Sequence, residues 1–231
     1  MMQRAHITAC VTLLLTAGVA VAQANAAEWV SYRDAYRAMV VFDKYGGPKS
    51  LLQNALQVRP GARGMLDGGA SLLIKGRTLQ TSLVLDPLGR TTLPLLKAAY
   101  DENAVLAPNR ALGGFTVRPR ISLALRADGS YDVAELRAAC EQALGFARYG
   151  DASARSQACV GVRLVFAKTA PEAGARVRTG GAETALPVTR APAFAGDIDD
   201  DFPVVTYRFG PSDAAQVVTY NAPLAIVPLF E

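Results

Sequence analysis

Histidine is all but missing from this chain: of 231 residues one is histidine, His6. Ser-His-Asp triads, Cys-His nucleophiles and the commonest metal ligand are therefore excluded from residues 7–231. Cysteine is nearly as scarce, with Cys10, Cys140 and Cys159 its three occurrences and no C-x-x-C spacing to lower a thiol pKa. Neither sign of charge dominates: 24 basic residues face 20 acidic ones, for a net charge of +4. The basic residues do not cluster, so a nucleic-acid partner is not expected. G-x-S-x-G, S-x-x-K, H-E-x-x-H and Walker patterns are absent as well. The one extended apolar run, residues 11–22, is shorter than the about 20 residues of a membrane-spanning helix.

That short run has its own meaning. Arg4 precedes it, and QANAA follows it. A charged start, a short apolar stretch and an A-x-A exit describe a signal peptide over residues 1–26, with cleavage open to either Ala24 or Ala26 and Ala26 preferred. Cys10 lies before the apolar run, which rules out a lipidated cysteine behind it. The expectation is an exported chain, periplasmic or secreted, with no transmembrane segment after cleavage. Cys140 and Cys159 are then expected to pair as a disulfide, because that compartment is oxidising.

Apolar residues make up 51% of the chain and charged residues 19%, a balance that fits a packed domain. Residues 27–231 are read as one globular domain, with a possible subdivision near residue 115. The segment EWVSYRDAYRAMVVFDKY (28–45) places Trp29, Tyr32, Tyr36, Met39, Val40 and Phe42 at helical spacings, with Ser31 as N-cap and Gly46-Gly47-Pro48 as stop. SLLIK (71–75) reads as a strand. Residues 79–85, the turn Asp86-Pro87-Leu88-Gly89 and residues 90–95 read as a hairpin, and Pro94 confines its second strand to an edge. A short helix at most follows over 95–103.

From residue 131 to 150 the stripe Val133, Leu136, Cys140, Leu144 and Ala147 predicts a helix capped by Asp132. Val160, Val162, Leu164 and Phe166 alternate as one face of a strand, and residues 202–209 and 215–230 read as further strands. Residues 171–195 read as a long loop with one short strand. The sum is an α+β chain, mainly antiparallel β and sandwich-like, with an N-terminal helix and one disulfide-linked helix.

SLVLDPLGRTTLPLLKAAYDE (82–102) is echoed at an offset of 40 by SLALRADGSYDVAELRAACEQ (122–142). The shared positions include Ser82/Ser122, Leu83/Leu123, Leu85/Leu125 and Gly89/Gly129. Each identity is one that a strand, a turn and a helix would select separately, and no third copy exists, so the echo reads as a recurring local solution. The first copy and its tail carry Gly89, Leu93-Pro94, Tyr100, Glu102-Asn103-Ala104 and Asn109. With the early YRDAYRAM helix, this resembles a family of uncharacterised exported proteobacterial proteins, over about residues 30–115. The resemblance implies export and assigns no catalytic residue. The same strand–turn–strand pattern is similar to transthyretin-like β-sandwiches.

Three constellations bear on chemistry. Asp197, Asp199 and Asp201 alternate as the opening of a calcium loop does, although Phe202 and Arg208 occupy the positions that such a loop gives to Gly and Glu. As a solvated acidic turn they need no ion; as a metal site they would take calcium, the one cofactor the sequence suggests. Arg118, Arg120 and Arg126, with Asn109-Arg110, can line an anion-binding surface or simply form the polar face of a strand. Asp101 and Glu102 are adjacent, so they point apart and read as exposed charges. The leading expectation is a non-enzymatic binding module whose partner is a protein or an envelope component. The alternatives are a carboxylate-dependent hydrolase of envelope glycans, which needs two converging acids, and a small-ligand carrier, which needs an apolar cavity.

Overall fold

Two extended residues, β1 (Val30–Ser31), lead into the helix α1 (Tyr32–Lys44) in the computed structural model, which describes residues 28–66, 69–199, 201–212 and 214–231. The signal-peptide reading of residues 1–26 lies outside the described residues. Ser31 is the N-cap of α1, and its hydroxyl accepts a hydrogen bond from the Asp34 amide at 3.3 Å. The helix buries Tyr32, Ala35 and Met39, spaced three and four apart.

The chain then forms β2 (Leu52–Pro60), β3 (Ser71–Lys75), β4 (Gln80–Val84), β5 (Arg90–Thr91), the short helix α2 (Lys97–Asp101), β6 (Val105–Pro108), β7 (Phe115–Leu123) and β8 (Ser130–Asp132). The long helix α3 (Val133–Gly150) and a 3-10 turn (Ala152–Ser156) precede β9 (Cys159–Val165). Six strands complete the chain: β10 (Ala175–Thr179), β11 (Ala182–Ala185), β12 (Val188–Ala191), β13 (Phe202–Arg208), β14 (Gln216–Thr219) and β15 (Ala225–Phe230). Among the described residues no helix is long and apolar enough to cross a membrane.

All strand pairs are antiparallel, in three sheets. A seven-stranded sheet runs β12-β13-β9-β15-β7-β2-β5, and two four-stranded sheets run β1-β6-β3-β4 and β11-β10-β14-β8. Both α1 and α3 pack on one face of the large sheet. Around α1 lies a core of Tyr32, Met39, Leu56, Leu72, Ile74 and Leu106; around α3 lies a second of Leu136, Leu144, Val162, Leu164, Phe166 and Ile226. Strand β7 contributes Phe115 to the first and Leu123 to the second. The other face of the large sheet carries a third apolar patch, of Val165, Phe194, Phe202, Val204 and Ala225. The α+β, mainly antiparallel architecture is thus as the patterns imply.

Cys140 of α3 and Cys159 of β9 are joined as a disulfide, with their Cα atoms 6.0 Å apart. Closing a loop of that length stabilises by about 3 kcal/mol on the chain-entropy account.

Several local expectations are corrected. Strands β4 and β5 do not form a hairpin: β4 pairs with β3, whereas Arg90 and Thr91 pair with Gln57 and Leu56 of β2. The Asp86 side chain turns the chain between two sheets instead, accepting from the amides of Leu88 and Arg90 at 2.9 and 2.8 Å. Residues 171–195 hold three strands; β10 and β11 meet through Gly180 and Gly181, both at positive φ as a tight hairpin turn requires. Asp132 sits at the N-cap of α3 but makes no side-chain cap bond; its carboxylate accepts from Gln216 at 2.9 Å.

Glu102 also has more to do than an exposed charge. Its carboxylate accepts from the amides of Arg77 and Thr78, at 2.6 and 3.1 Å, and from the Thr78 hydroxyl. It thereby holds the turn between β3 and β4. The Thr78 hydroxyl first, then the two amides, hold its pKa below the ordinary glutamate range. A depressed carboxylate pKa contributes stability at neutral pH that is lost as pH falls through the folded-state value. Glu102→Gln is therefore expected to unfold earlier in urea than wild type at pH 7, with the gap closing below about pH 4, the ordinary glutamate range. A gap that stays constant across that titration would contradict this role.

Candidate functional site

Two places gather exposed chemistry. The first is an open groove of about 1010 Å³ beside β1 and β6. One wall is Glu28 and Trp29, where the chain runs into β1; the other is the loop from Pro108 to Phe115. That loop is anchored by Leu112 and Phe115, both buried, and turns through Gly113 and Gly114 at φ of 64° and 83°. The Gly61 amide donates to the Gly114 carbonyl at 2.8 Å and to that of Leu112 at 3.3 Å. A Cβ on Gly61 would lie 2.4 Å from the Gly113 carbonyl oxygen, so glycine is what lets these backbones meet. Asn109 fixes the loop's start by accepting from the Ser71 amide at 3.0 Å, and Arg110 donates to the Met65 carbonyl at 2.9 Å.

Trp29 is 57% exposed in this groove. Helical spacing assigned it to a core stripe, but α1 begins at Tyr32, so Trp29 precedes the helix and follows the strand edge to the surface. The rest of the aromatic face does pack: Tyr32 is buried, Tyr36 stands 5.0 Å from the ring of Tyr100, and Phe42 stands 5.3 Å from Phe146.

The second place is the outer face of the large sheet. Neighbouring strands β2 and β7 raise Gln57, Arg59, Arg118 and Arg120, with Gln57 directly opposite Arg118. The segment between β12 and β13 crosses above them. Phe194 is buried in the third apolar patch, and the Arg120 guanidinium lies 4.6 Å from its ring centre. A turn closed by the Asp197 amide on the Phe194 carbonyl, at 3.1 Å, puts Gly196 at φ 77° and points the Asp197 carboxylate down. Its Oδ1 lies 2.6 Å from Arg118, 3.0 Å from Arg120 and 3.5 Å from Arg59; Oδ2 accepts from Gln57 at 2.9 Å. Gln57, itself 3% exposed, accepts from Arg120 at 2.7 Å and donates to the Leu88 carbonyl at 3.1 Å. Burial first, and then the neighbouring Arg59 charge, lower the pKa of Arg118, against the pull of Asp197.

Asp199 and Asp201 turn elsewhere, to Lys168. Its ammonium lies 2.8 Å from both oxygens of Asp199 and 2.5 Å from Asp201, and 4.9 Å from the ring centre of Phe202. Burial raises the pKa of Asp199, while Lys168 and a hydrogen bond with Asp199 lower that of Asp201, so the two carboxyls titrate as a pair. Burial opposes the charge on Lys168, but the two aspartates outweigh it and raise its pKa. The three aspartates that suggested calcium therefore do not share one set of oxygens: one is held by arginines and two by a lysine. Among the described residues no three metal-ligating side chains come together.

Two acids do converge, then, but in direct contact. Glycoside hydrolysis sets its carboxyl groups about 5 Å apart or more, with the sugar or a water between them. Arg126 belongs to neither place; it pairs with Asp128 and Glu135. Asp101 pairs with Lys97. Sequence reasoning singled out Arg118, Arg120 and Asp197 but missed Gln57, Arg59 and Phe194. The parity of Leu56 and Val58 against Gln57 and Arg59 is the signal that was available, weakened by Asn54 in the apolar register of β2. Compared with protein-family models, curated proteins and solved structures, the chain finds no significant match.

Proposed function

We propose that this chain is an exported, non-enzymatic binding protein of the cell envelope, and that the groove beside Trp29 holds a segment of a protein partner or an envelope polymer. The observation that carries the proposal is the groove itself: a large open concavity whose wall exposes the chain's single tryptophan. A large indole supplies contact area at little entropic cost, which is why aromatic residues concentrate at binding sites. Glu28, Lys75 and Arg110 place both signs of charge around it, which suits a polar, extended ligand better than a lipid. An enclosed apolar cavity, the mark of a small-ligand carrier, is not what this lining makes. Export rests on the reading of residues 1–26 and on the family likeness over residues 30–115.

Because Trp29 is the only tryptophan, its fluorescence reports on the groove alone. Titration with soluble peptidoglycan fragments or with an envelope protein fraction is expected to shift its emission saturably and to protect it from acrylamide quenching. Unchanged emission and quenching with every fraction would refute the groove as the site. Release of product from those fragments would refute the non-enzymatic reading.

A further inference from the structure

The outer face of the large sheet carries a second site, independent of the groove. Arg59, Arg118 and Arg120 project from adjacent strands, and among the described residues Asp197 is the one carboxylate within ion-pairing distance of any of them. Three guanidinium charges thus face a single carboxylate. Charge rather than acceptor number is what falls short: the neutral oxygens of Gln57, Ala195 and Gly196 also accept from these arginines, but all three share Oδ1 of the one carboxylate, whose Oδ2 goes to Gln57. Packing like charges together under partial burial is unfavourable unless counter-charge is present. An exposed strand face would place such arginines in water; here the turn of Phe194 to Asp197 covers them. The Arg59 and Arg118 side chains each remain 30% exposed and that of Arg120 17%, so solvent still reaches the cluster.

We propose that Arg59, Arg118 and Arg120 form a binding site for a doubly charged oxyanion, the phosphate or sulfate group of a ligand, and that Asp197 is its resident internal occupant. A tetrahedral dianion matches the cluster better than a carboxylate does. It brings the missing negative charge, and it offers each planar guanidinium fork an oxygen of its own. Gln57 is placed to donate to a fourth. Asp197 sits on a glycine-hinged turn, and exchanging it for a ligand breaks that turn's contacts with the cluster while Phe194 keeps the segment anchored in its apolar patch. The segment is therefore a tethered competitor, and removing its charge unmasks the site.

The test compares unfolding midpoints of wild type, Asp197→Asn and the double variant Asp197→Asn/Arg118→Gln in sodium chloride, sulfate and phosphate at equal ionic strength. Sulfate and phosphate raise any protein's midpoint somewhat by exclusion from its surface, so the reading is the increment beyond that of the double variant. Asp197→Asn is expected to melt below wild type in chloride and to gain several degrees more than the double variant in tens of millimolar phosphate or sulfate. A gain in phosphate alone assigns a phosphate site; a gain in both assigns a general dianion site. Equal increments in the two variants overturn the proposal. Should Asp197→Asn fail to fold, Asp197→Ser replaces it, and the ³¹P linewidth of inorganic phosphate is read with Asp197→Ser and with Asp197→Ser/Arg118→Gln. Broadening by the first that the second lacks supports the site, and equal linewidths overturn it.

Discussion

Tyr32→Ala is expected to lower the free energy of unfolding by about 5 kcal/mol. Among the described residues Tyr32 is the largest fully buried side chain, and it stands at the first helical position of α1. Its ring packs among Leu56, Leu72 and Leu106 in the first core, with Tyr36 6.1 Å away. Its hydroxyl is equally committed: it donates to the Pro94 carbonyl and accepts from the Leu96 amide, both at 2.7 Å. Burial is also the main reason its pKa is raised. Removing the ring costs roughly 3–5 kcal/mol as an aromatic-to-alanine cavity. Leaving backbone groups without a partner adds about 1–3 kcal/mol. The Leu96 amide keeps a second acceptor in the Pro94 carbonyl, 3.1 Å away, which trims that addition. Tyr32→Phe isolates the hydroxyl and is expected to cost about 1–2 kcal/mol for the same reason. Urea denaturation followed by circular dichroism measures both variants. A Tyr32→Phe midpoint equal to wild type would show that the hydroxyl bonds contribute nothing net.

That contact ties Leu93-Pro94 to the start of the early helix. Leu93 is buried in the first core and Pro94 has no amide to satisfy, so the segment leaving β5 can run free of a sheet and dock on Tyr32 instead. The pairing spans 62 residues of sequence, and no local rule announces it. The same limit separates what was legible from what was not. The cap at Ser31, strand β3 and the α3 stripe follow from neighbours within four residues, and all three stand as expected. The partner of β5 does not follow, because Asp86-Pro87-Leu88-Gly89 turns the chain equally well whether the next strand joins the same sheet or another. Strand β11 is exposed at every position and carries no alternation to read, although Gly180-Gly181 did mark its turn. For the arginine cluster, the spacing of Arg118 and Arg120 put both on one face. The carboxylate that meets them, 79 and 77 residues further along, became visible only with the sheet assembled.

The two halves of the sequence echo make the same point energetically. Gly89 and Gly129 occupy equivalent places in it, and both adopt left-handed backbone, at φ 73° and 64°. A side chain there costs about 1–2 kcal/mol on its own. Their surroundings differ. A Cβ on Gly89 would lie 2.5 Å from the Val58 carbonyl oxygen and 2.8 Å from Leu66, and Gly89 also accepts from the Val58 amide at 2.8 Å. Strand β2 would have to move where Val58 pairs with Val117 of β7. A Cβ on Gly129 meets the Thr219 hydroxyl at 2.7 Å, the tip of a half-buried side chain that can rotate away, losing one hydrogen bond of 3.1 Å. Overpacking against backbone adds about 1–3 kcal/mol, so Gly89→Ala is expected to cost about 4 kcal/mol. Gly129→Ala incurs the left-handed cost and the loss of one half-buried bond, about 2 kcal/mol. Equal losses for the two variants, read from the same urea titration, would mean that the turns are equivalent and that the echo records a shared structural unit. The expected twofold difference fits chemistry found twice: Ser82 is exposed at the edge strand β4, while its counterpart Ser122 is buried in the large sheet, so the same residues serve different surroundings.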